Sequence, residues 1–305
     1  MEWDIRCVVD NACEVGEGPI WDVDQERLLW VYIVGKTVHA YHPGSGQVEQ
    51  WQLDEMIGVI LPCEDGRWIA GLASGFAYIR LNENHNSDHC AELEFIDRPE
   101  EDQPDNRFND GACDFEGRLW CGTMHMPGTW TLGKLYRYAQ SAKPKVVDEG
   151  YIIPNGPAFS NDGRTLYHCE SAGSENQPQG IYAFDLKADG GIHNKRLLVD
   201  YRERKGAPDG LMVDAQNRLW VGGWGRARLA CVDTQGKRLQ EIPLPTTNVT
   251  KAAFGGKNLD ILYVTTATAG LSKEELDTEP QAGGLFEIKG IGKGLSPYRF
   301  QEVSL

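Results

Sequence analysis

Four polar residues stand at matched distances ahead of aromatic landmarks, and three of them could hold one metal ion. Glu17, Asn109, Asn155 and Asp209 precede Trp30, Trp120, Tyr167 and Trp220 by 13, 11, 12 and 11 positions. If the segments around these landmarks fold alike, equal offsets put the four side chains at equivalent points of successive units. A closed ring would then gather them at its centre. Glu17, Asn155 and Asp209 supply two carboxylates and one amide oxygen, a set suited to hard or borderline cations such as Ca²⁺, Mg²⁺ and Mn²⁺. Two carboxylates roughly cancel a divalent charge and leave positions open to water and substrate. Taken singly, each also reads as a turn residue, in Gly16-Glu17-Gly18-Pro19, Pro154-Asn155-Gly156-Pro157 and Ala207-Pro208-Asp209-Gly210. The matched offsets favour the shared centre.

Arg107 and Asn109, in Arg107-Phe108-Asn109-Asp110-Gly111, are expected beside that centre. Arginine presents a planar fork of donors and asparagine both a donor and an acceptor, a pairing suited to hydroxyl-rich ligands. Asp110 reads as a turn residue and His125 as a core or rim histidine. No His or Cys shares the offsets, which argues against a structural zinc site. There is no G-x-S-x-G element and no local Cys–His pairing, so acyl-enzyme chemistry has little support. Gly255-Gly256-Lys257 lacks the rest of a P-loop and reads as a turn.

The landmarks themselves define the elements that must position these residues. Trp30, Trp68, Trp120, Tyr167, Trp220 and Tyr263 are spaced by 38, 52, 47, 53 and 43 residues. Most close the same phrase: a polar turn, an arginine, then an apolar–aromatic run, as in Glu116-Gly117-Arg118-Leu119-Trp120. Asp-Gly and Asn-containing links between β-rich runs are hairpin signals, because these residues tolerate positive φ. Each phrase is followed by a second hairpin, for example Gly180-Ile181-Tyr182-Ala183-Phe184-Asp185. Four short strands per repeat, with no 3.6-residue periodicity, predict an all-β, six-bladed β-propeller over residues 1–305. A solenoid would need shorter and more uniform repeats. Ile5–Val9 is expected to join the last blade and close the ring, hiding two sheet edges. Two inserts interrupt the pattern, Asp97–Asp105 and Ala172–Gln179; both read as surface variation, and the first, which leads into Arg107 and Asn109, also reads as a loop bordering the site.

Composition narrows the partners. A net charge of −15 repels a phosphate backbone, so no nucleic acid is expected. No run approaches the length of a membrane span and the N-terminus lacks a signal-peptide core, which predicts a cytoplasmic protein off the membrane. Eight scattered cysteines without a C-x-x-C pair fit small buried hydrophobes in a reducing compartment. A monomer or weak homo-oligomer is expected.

Over nearly its whole length the chain resembles the gluconolactonase–regucalcin (senescence marker protein) family of six-bladed propellers. The motifs that carry the resemblance are Gly16-Glu17-Gly18-Pro19-Ile20-Trp21, Arg107-Phe108-Asn109-Asp110-Gly111, Asn155-Gly156-Pro157 and Pro208-Asp209-Gly210. Phe254-Gly255-Gly256 and Ala282-Gly283-Gly284-Leu285-Phe286 extend it into the last blade. The resemblance implies that Glu17, Asn155 and Asp209 bind one divalent metal, Ca²⁺ first, with Mg²⁺, Mn²⁺, Zn²⁺ and Fe²⁺ open. It implies that Arg107 and Asn109 contact a sugar and that the reaction is hydrolysis of an aldonolactone, a pentono- or hexonolactone. Asp209 is then the candidate to orient the attacking water or take its proton. Gly122-Thr123-Met124-His125 and Asn248-Val249-Thr250-Lys251 look closer to bacterial sugar lactonases of the xylonolactonase type than to animal members. Pro127 stands where animal members carry a substrate-binding acid, and Tyr32 replaces a more usual aspartate. The alternatives are a non-catalytic calcium-binding or scaffold propeller, and promiscuous ester or phosphotriester hydrolysis at the same metal.

Overall fold

A computed structural model describes residues 3–82, 91–139 and 142–301. Cys90 lies outside the described residues, and the seven described cysteines are all free thiols. Strand β1 (Asp4–Val9) comes first in the chain but belongs to the last sheet. The first blade contains β2 (Gly16–Asp22), β3 (Arg27–Tyr32), β4 (Thr37–His42) and β5 (Gln47–Gln52), and the second β6 (Ile57–Pro62), β7 (Trp68–Leu72), β8 (Phe76–Leu81) and β9 (Ala91–Asp97). The third holds β10 (Asn106–Cys113), β11 (Leu119–His125), β12 (Gly133–Tyr138) and β13 (Lys145–Tyr151). In the fourth are β14 (Pro154–Phe159), β15 (Thr165–Glu170), β16 (Gly180–Leu186) and β17 (Ile192–Asp200). The fifth has β18 (Ala207–Val213), β19 (Leu219–Trp224), β20 (Arg228–Val232) and β21 (Arg238–Pro243). The sixth runs from β22 (Asn248–Gly255) through β23 (Ile261–Ala267) and β24 (Leu285–Lys289) to β1, with Ile5 opposite Ile288. These are the six four-stranded antiparallel blades of a β-propeller.

The repeated phrase exists because of what its first residue does. Asp114 Oδ1 accepts the backbone N–H groups of Glu116 and Arg118, and its Oδ2 accepts Arg118 Nε at 2.6 Å and Trp120 Nε1 at 2.8 Å. Asp214 does the same with Gln216, Arg218 and Trp220. Asp22 begins the pattern in the first blade, accepting from the Asp24 and Gln25 backbone and from Arg27 Nε. One carboxylate thus fixes the turn, the following arginine and the ring of the landmark. All six landmark aromatics are buried, Trp120, Trp220 and Tyr263 completely. Their rings fill the space between adjacent blades, where burying a large aromatic contributes most.

The innermost strands β2, β6, β10, β14, β18 and β22 pack against their neighbours around the axis. Every one of them is irregular at the same level, with register shifts at Glu17/Ile20, Ile57/Val59, Phe108/Gly111, Asn155/Ala158, Pro208/Leu211 and Val249/Ala252. A bulge bends a strand and re-aims its side chains. Six equivalent bulges therefore explain why equal offsets from the landmarks converge.

The only helix among the described residues, α1 (Lys273–Thr278), lies between β23 and β24 and carries a capping box from Ser272 and Glu275. At six residues it is too short to leave a periodic apolar signature. Among the described residues no helix is long and apolar enough to cross a membrane. After β24 the chain returns across the ring: Phe300 bonds Pro62 and Glu64 of the second blade and is completely buried.

Candidate metal centre

A cavity of about 310 Å³ lies where the inner strands begin, and Glu17, Arg107, Asn109, Asn155 and Asp209 all line it. The structure therefore brings together every site residue named from the sequence. Val15, Ile33, Met124, Ile153, Ala207 and Trp224 form apolar walls, with Ser171 and Ala172 between them. Farther along the axis a second cavity, of about 160 Å³, is lined by apolar residues such as Ile20, Trp21, Phe159 and Phe254 and bordered by Leu295–Tyr298.

Glu17 sits on β2 with its Oε2 accepting the Gly18 N–H at 2.6 Å. Its Oε1 is buried and has no hydrogen-bond partner among the described residues. Gly18 and Gly156, which follow Glu17 and Asn155, have φ of +56° and +80°, values that glycine adopts without strain. Burial, then the negative charge of Asp110, pushes the Glu17 carboxyl up to about 8, against the pull of Lys251. Burial and the charges of Glu17 and Asp110 raise Asp209 in the same way. Both carboxyls thus resist ionisation mainly because they are buried, and their negative neighbours add to it.

The amides are arranged differently. Asn155 Nδ2 donates to Ser171 Oγ at 2.9 Å, and that hydroxyl donates to the Pro208 carbonyl at 2.7 Å. Asn109 Nδ2 donates to Asn155 Oδ1 at 3.0 Å and to the Pro154 carbonyl, while its Oδ1 accepts Arg107 Nη1 at 2.7 Å. Asn109 thus links Arg107 to Asn155. Arg107 also donates to the Phe108 carbonyl, leaving the rest of its fork without a partner among the described residues. Burial lowers its guanidinium to about 10, opposed by the charges of Glu17 and Asp209.

These groups fit a divalent cation. The buried, unpartnered Oε1 of Glu17 and the self-repelling pair of carboxylates are what a bound cation would relieve. Among the described residues no three His, Cys, Asp or Glu side chains cluster as metal ligands; a third donor to such a cation would be the Asn155 amide oxygen. His125 lies elsewhere. It is buried, stacks on Trp130 at 4.7 Å and is 3.4 Å from the Thr129 hydroxyl, on the strand face away from Met124. The Asp97–Asp105 insert contributes nothing to the cavity lining; Glu100 ties it instead to Thr123, Lys134 and Tyr136. The second insert does reach the cavity, through Ala172.

Sequence reasoning missed three residues: Ser171, Asp110 and Lys251. Asp110 is no simple turn residue. Its Oδ1 accepts Lys251 Nζ at 2.5 Å and the Gly111 N–H at 2.7 Å, and its Oδ2 accepts the Gly156 N–H at 2.9 Å. Lys251 precedes Tyr263 by 12 positions, so the same offset applied to the sixth landmark would have found it. Ser171 has no such signal.

A six-bladed propeller with a carboxylate–amide cavity on its axis is the class that the geometry defines. The sequence profile described as the SMP-30/Gluconolactonase/LRE-like region matches residues 15–268, and the chain belongs to that family. It is 31% identical to regucalcin of Danio rerio over 301 residues, spanning 97% of this chain and 98% of that one. Among solved structures it resembles a luciferin-regenerating enzyme with a TM-score of 0.89 at 29% identity, covering 99% of this chain and all of the other. A calcium-binding regucalcin from Agrobacterium tumefaciens gives 0.86 at 26% identity, over 97% and 98% of the two chains.

Proposed function

We propose that the protein hydrolyses an aldonolactone, a pentono- or hexonolactone, to the open-chain sugar acid, with one divalent cation held by Glu17, Asn155 and Asp209. Ca²⁺ is the first candidate. The observation that carries this reading is the pair of buried, under-compensated carboxylates in an apolar-walled cavity with a partly free arginine. Family membership supports the lactone as substrate, and the description of the Agrobacterium relative as calcium-binding supports the cation.

When bound, such a cation would polarise a carbonyl and acidify a water. The chain's own residues supply the rest. Asp209 is the residue to orient the attacking water or take its proton, although ligating the cation would lower its basicity, and a proton so taken can be returned to the ring oxygen that leaves as an alcohol. Arg107 donates to sugar hydroxyls with the N–H groups left over from its bonds to Asn109 and the Phe108 carbonyl. Asn109 holds Arg107 and Asn155 in fixed relation. The walls formed by Val15, Ile33, Met124 and Trp224 limit the water around the reacting carbonyl.

A protein that only binds calcium could use the same three ligands, with Arg107 serving only to hold Asn109 and, through it, Asn155. The deciding experiment strips the protein with a chelator and assays a panel of sugar lactones before and after adding Ca²⁺, Mg²⁺, Mn²⁺, Zn²⁺ or Fe²⁺. Hydrolysis that disappears on stripping and returns with a cation is expected. Cation binding without hydrolysis of any lactone would leave a binding protein.

A further inference from the structure

Between the two axial cavities lies a buried ion pair that the proposed reaction does not use directly. Lys251, on β22 of the sixth blade, crosses the axis to Asp110, on β10 of the third. Their side chains are 9% and 1% exposed. Taking two charges out of water costs several kcal/mol per ion, and apolar residues would fill the same space more cheaply. An ion pair here therefore calls for a reason beyond packing.

Its surroundings supply one. The Lys251 stem lies against Gly210, the residue after Asp209: a Cβ on that glycine would meet Lys251 Cβ and Cγ at 2.6 Å. Asp110 grips the N–H of Gly156, the residue after Asn155. The ammonium group is also within Coulombic reach of both Glu17 and Asp209. A lysine so placed is itself a candidate cation for those carboxylates, having three donors and a flexible stem. It does not bond to Glu17, whose Oε1 stays without a partner among the described residues.

We propose that Asp110 is the counter-ion that keeps Lys251 from occupying the cation site. Asp110 engages the ammonium from below, and Glu17 and Asp209 remain available to an external divalent cation. Asp110 is on this account a positioning residue, acting through Lys251. The inference rests on the cation reading given above.

The two charges make opposite predictions when removed. In full-length Asp110→Asn, Lys251 loses its partner and turns to Glu17 and Asp209, so Mn²⁺ affinity measured by calorimetry falls by about tenfold or more. Lys251→Met leaves a third carboxylate beneath the site, so Mn²⁺ binds at least as tightly as to the native protein. Asp110→Asn combined with Lys251→Met removes both charges and recovers most of the affinity lost in Asp110→Asn alone. The electron paramagnetic resonance spectrum of bound Mn²⁺ should be alike in native protein and the double variant. A merely structural pair predicts weakening in both single variants and no recovery in the double, which would overturn the inference. Should Asp110→Asn fail to fold, weakened binding in Lys251→Met would overturn it alone. If the native protein binds no Mn²⁺, the cation reading itself fails, a result separate from the pattern among variants.

Discussion

Two sets of buried carboxylates in this propeller have had opposite fates. Asp114 and Asp214 are completely buried, and each accepts four hydrogen bonds, from two backbone N–H groups, an arginine and a tryptophan. Glu17 and Asp209 are nearly as buried, at 5% and 7% exposure, yet repel each other, and Glu17 keeps one oxygen without a partner among the described residues. The first set closes turns between strands. The second faces a cavity. Carboxyl chemistry and burial are shared, so hydrogen-bond satisfaction is what separates a carboxylate that holds the fold from one proposed to take a ligand.

The sharpest way to break this comparison is to neutralise the axial set. Glu17→Gln and Asp209→Asn should each lower kcat/KM on sugar lactones by about a thousandfold or more. Calorimetry should show cation affinity falling with them. The same variants, stripped of metal, should unfold at a temperature equal to or above that of the stripped native protein, because an amide relieves like-charge repulsion. A large loss of stability would mean that these carboxylates belong with the structural set.

Asp114→Asn should behave in the opposite way. It leaves Arg118 without its buried anion, a change that costs about 3–5 kcal/mol. Denaturant titration should record that loss, while kcat/KM per folded molecule stays close to native. Arg107→Ala is expected to cost less, about 10- to 150-fold on hydroxylated lactones, the worth of one charged hydrogen bond. Lactones without hydroxyls should lose little. Equal losses on both kinds would move Arg107 from substrate contact to support of the Asn109–Asn155 link.

A separate effect, on stability alone, concerns buried groups that are neutral instead of charged. Burial lowers His168 from 6.5 to about 3 and His39 to about 4, and both His168 nitrogens lack partners among the described residues. A folded-state pKa below the unfolded one favours the neutral form. The stabilisation is whole above about pH 6.5 and is lost as pH falls through that value toward 4 and then 3. Unfolding midpoints measured from pH 7 to pH 4 should therefore decline less steeply in His168→Phe than in the native chain.

Much of this was legible because repetition amplifies weak signals. A single Asp-Gly turn or buried tryptophan says little, but six landmarks with a common phrase describe a blade and its count. The three ligand candidates were readable for the same reason, since equivalent bulges in β2, β14 and β18 turn equal offsets into convergence. The inserts were less legible: Glu100 ties the first to blade three, while Ala172 of the second lines the cavity.

What the sequence by itself determined is local and periodic. Asp114 and Asp214 act within a few residues of themselves, so their motif shows in the chain, as do the strands and their number. What only the tertiary structure decided is which side chains meet across the axis. The Lys251–Asp110 pair joins residues 141 positions apart in sequence, and Ser171 bridges Asn155 to the Pro208 carbonyl. No spacing within one blade encodes such contacts. They arise because ring closure sets β10, β14, β18 and β22 around one axis, and the charge left over there depends on all of them together.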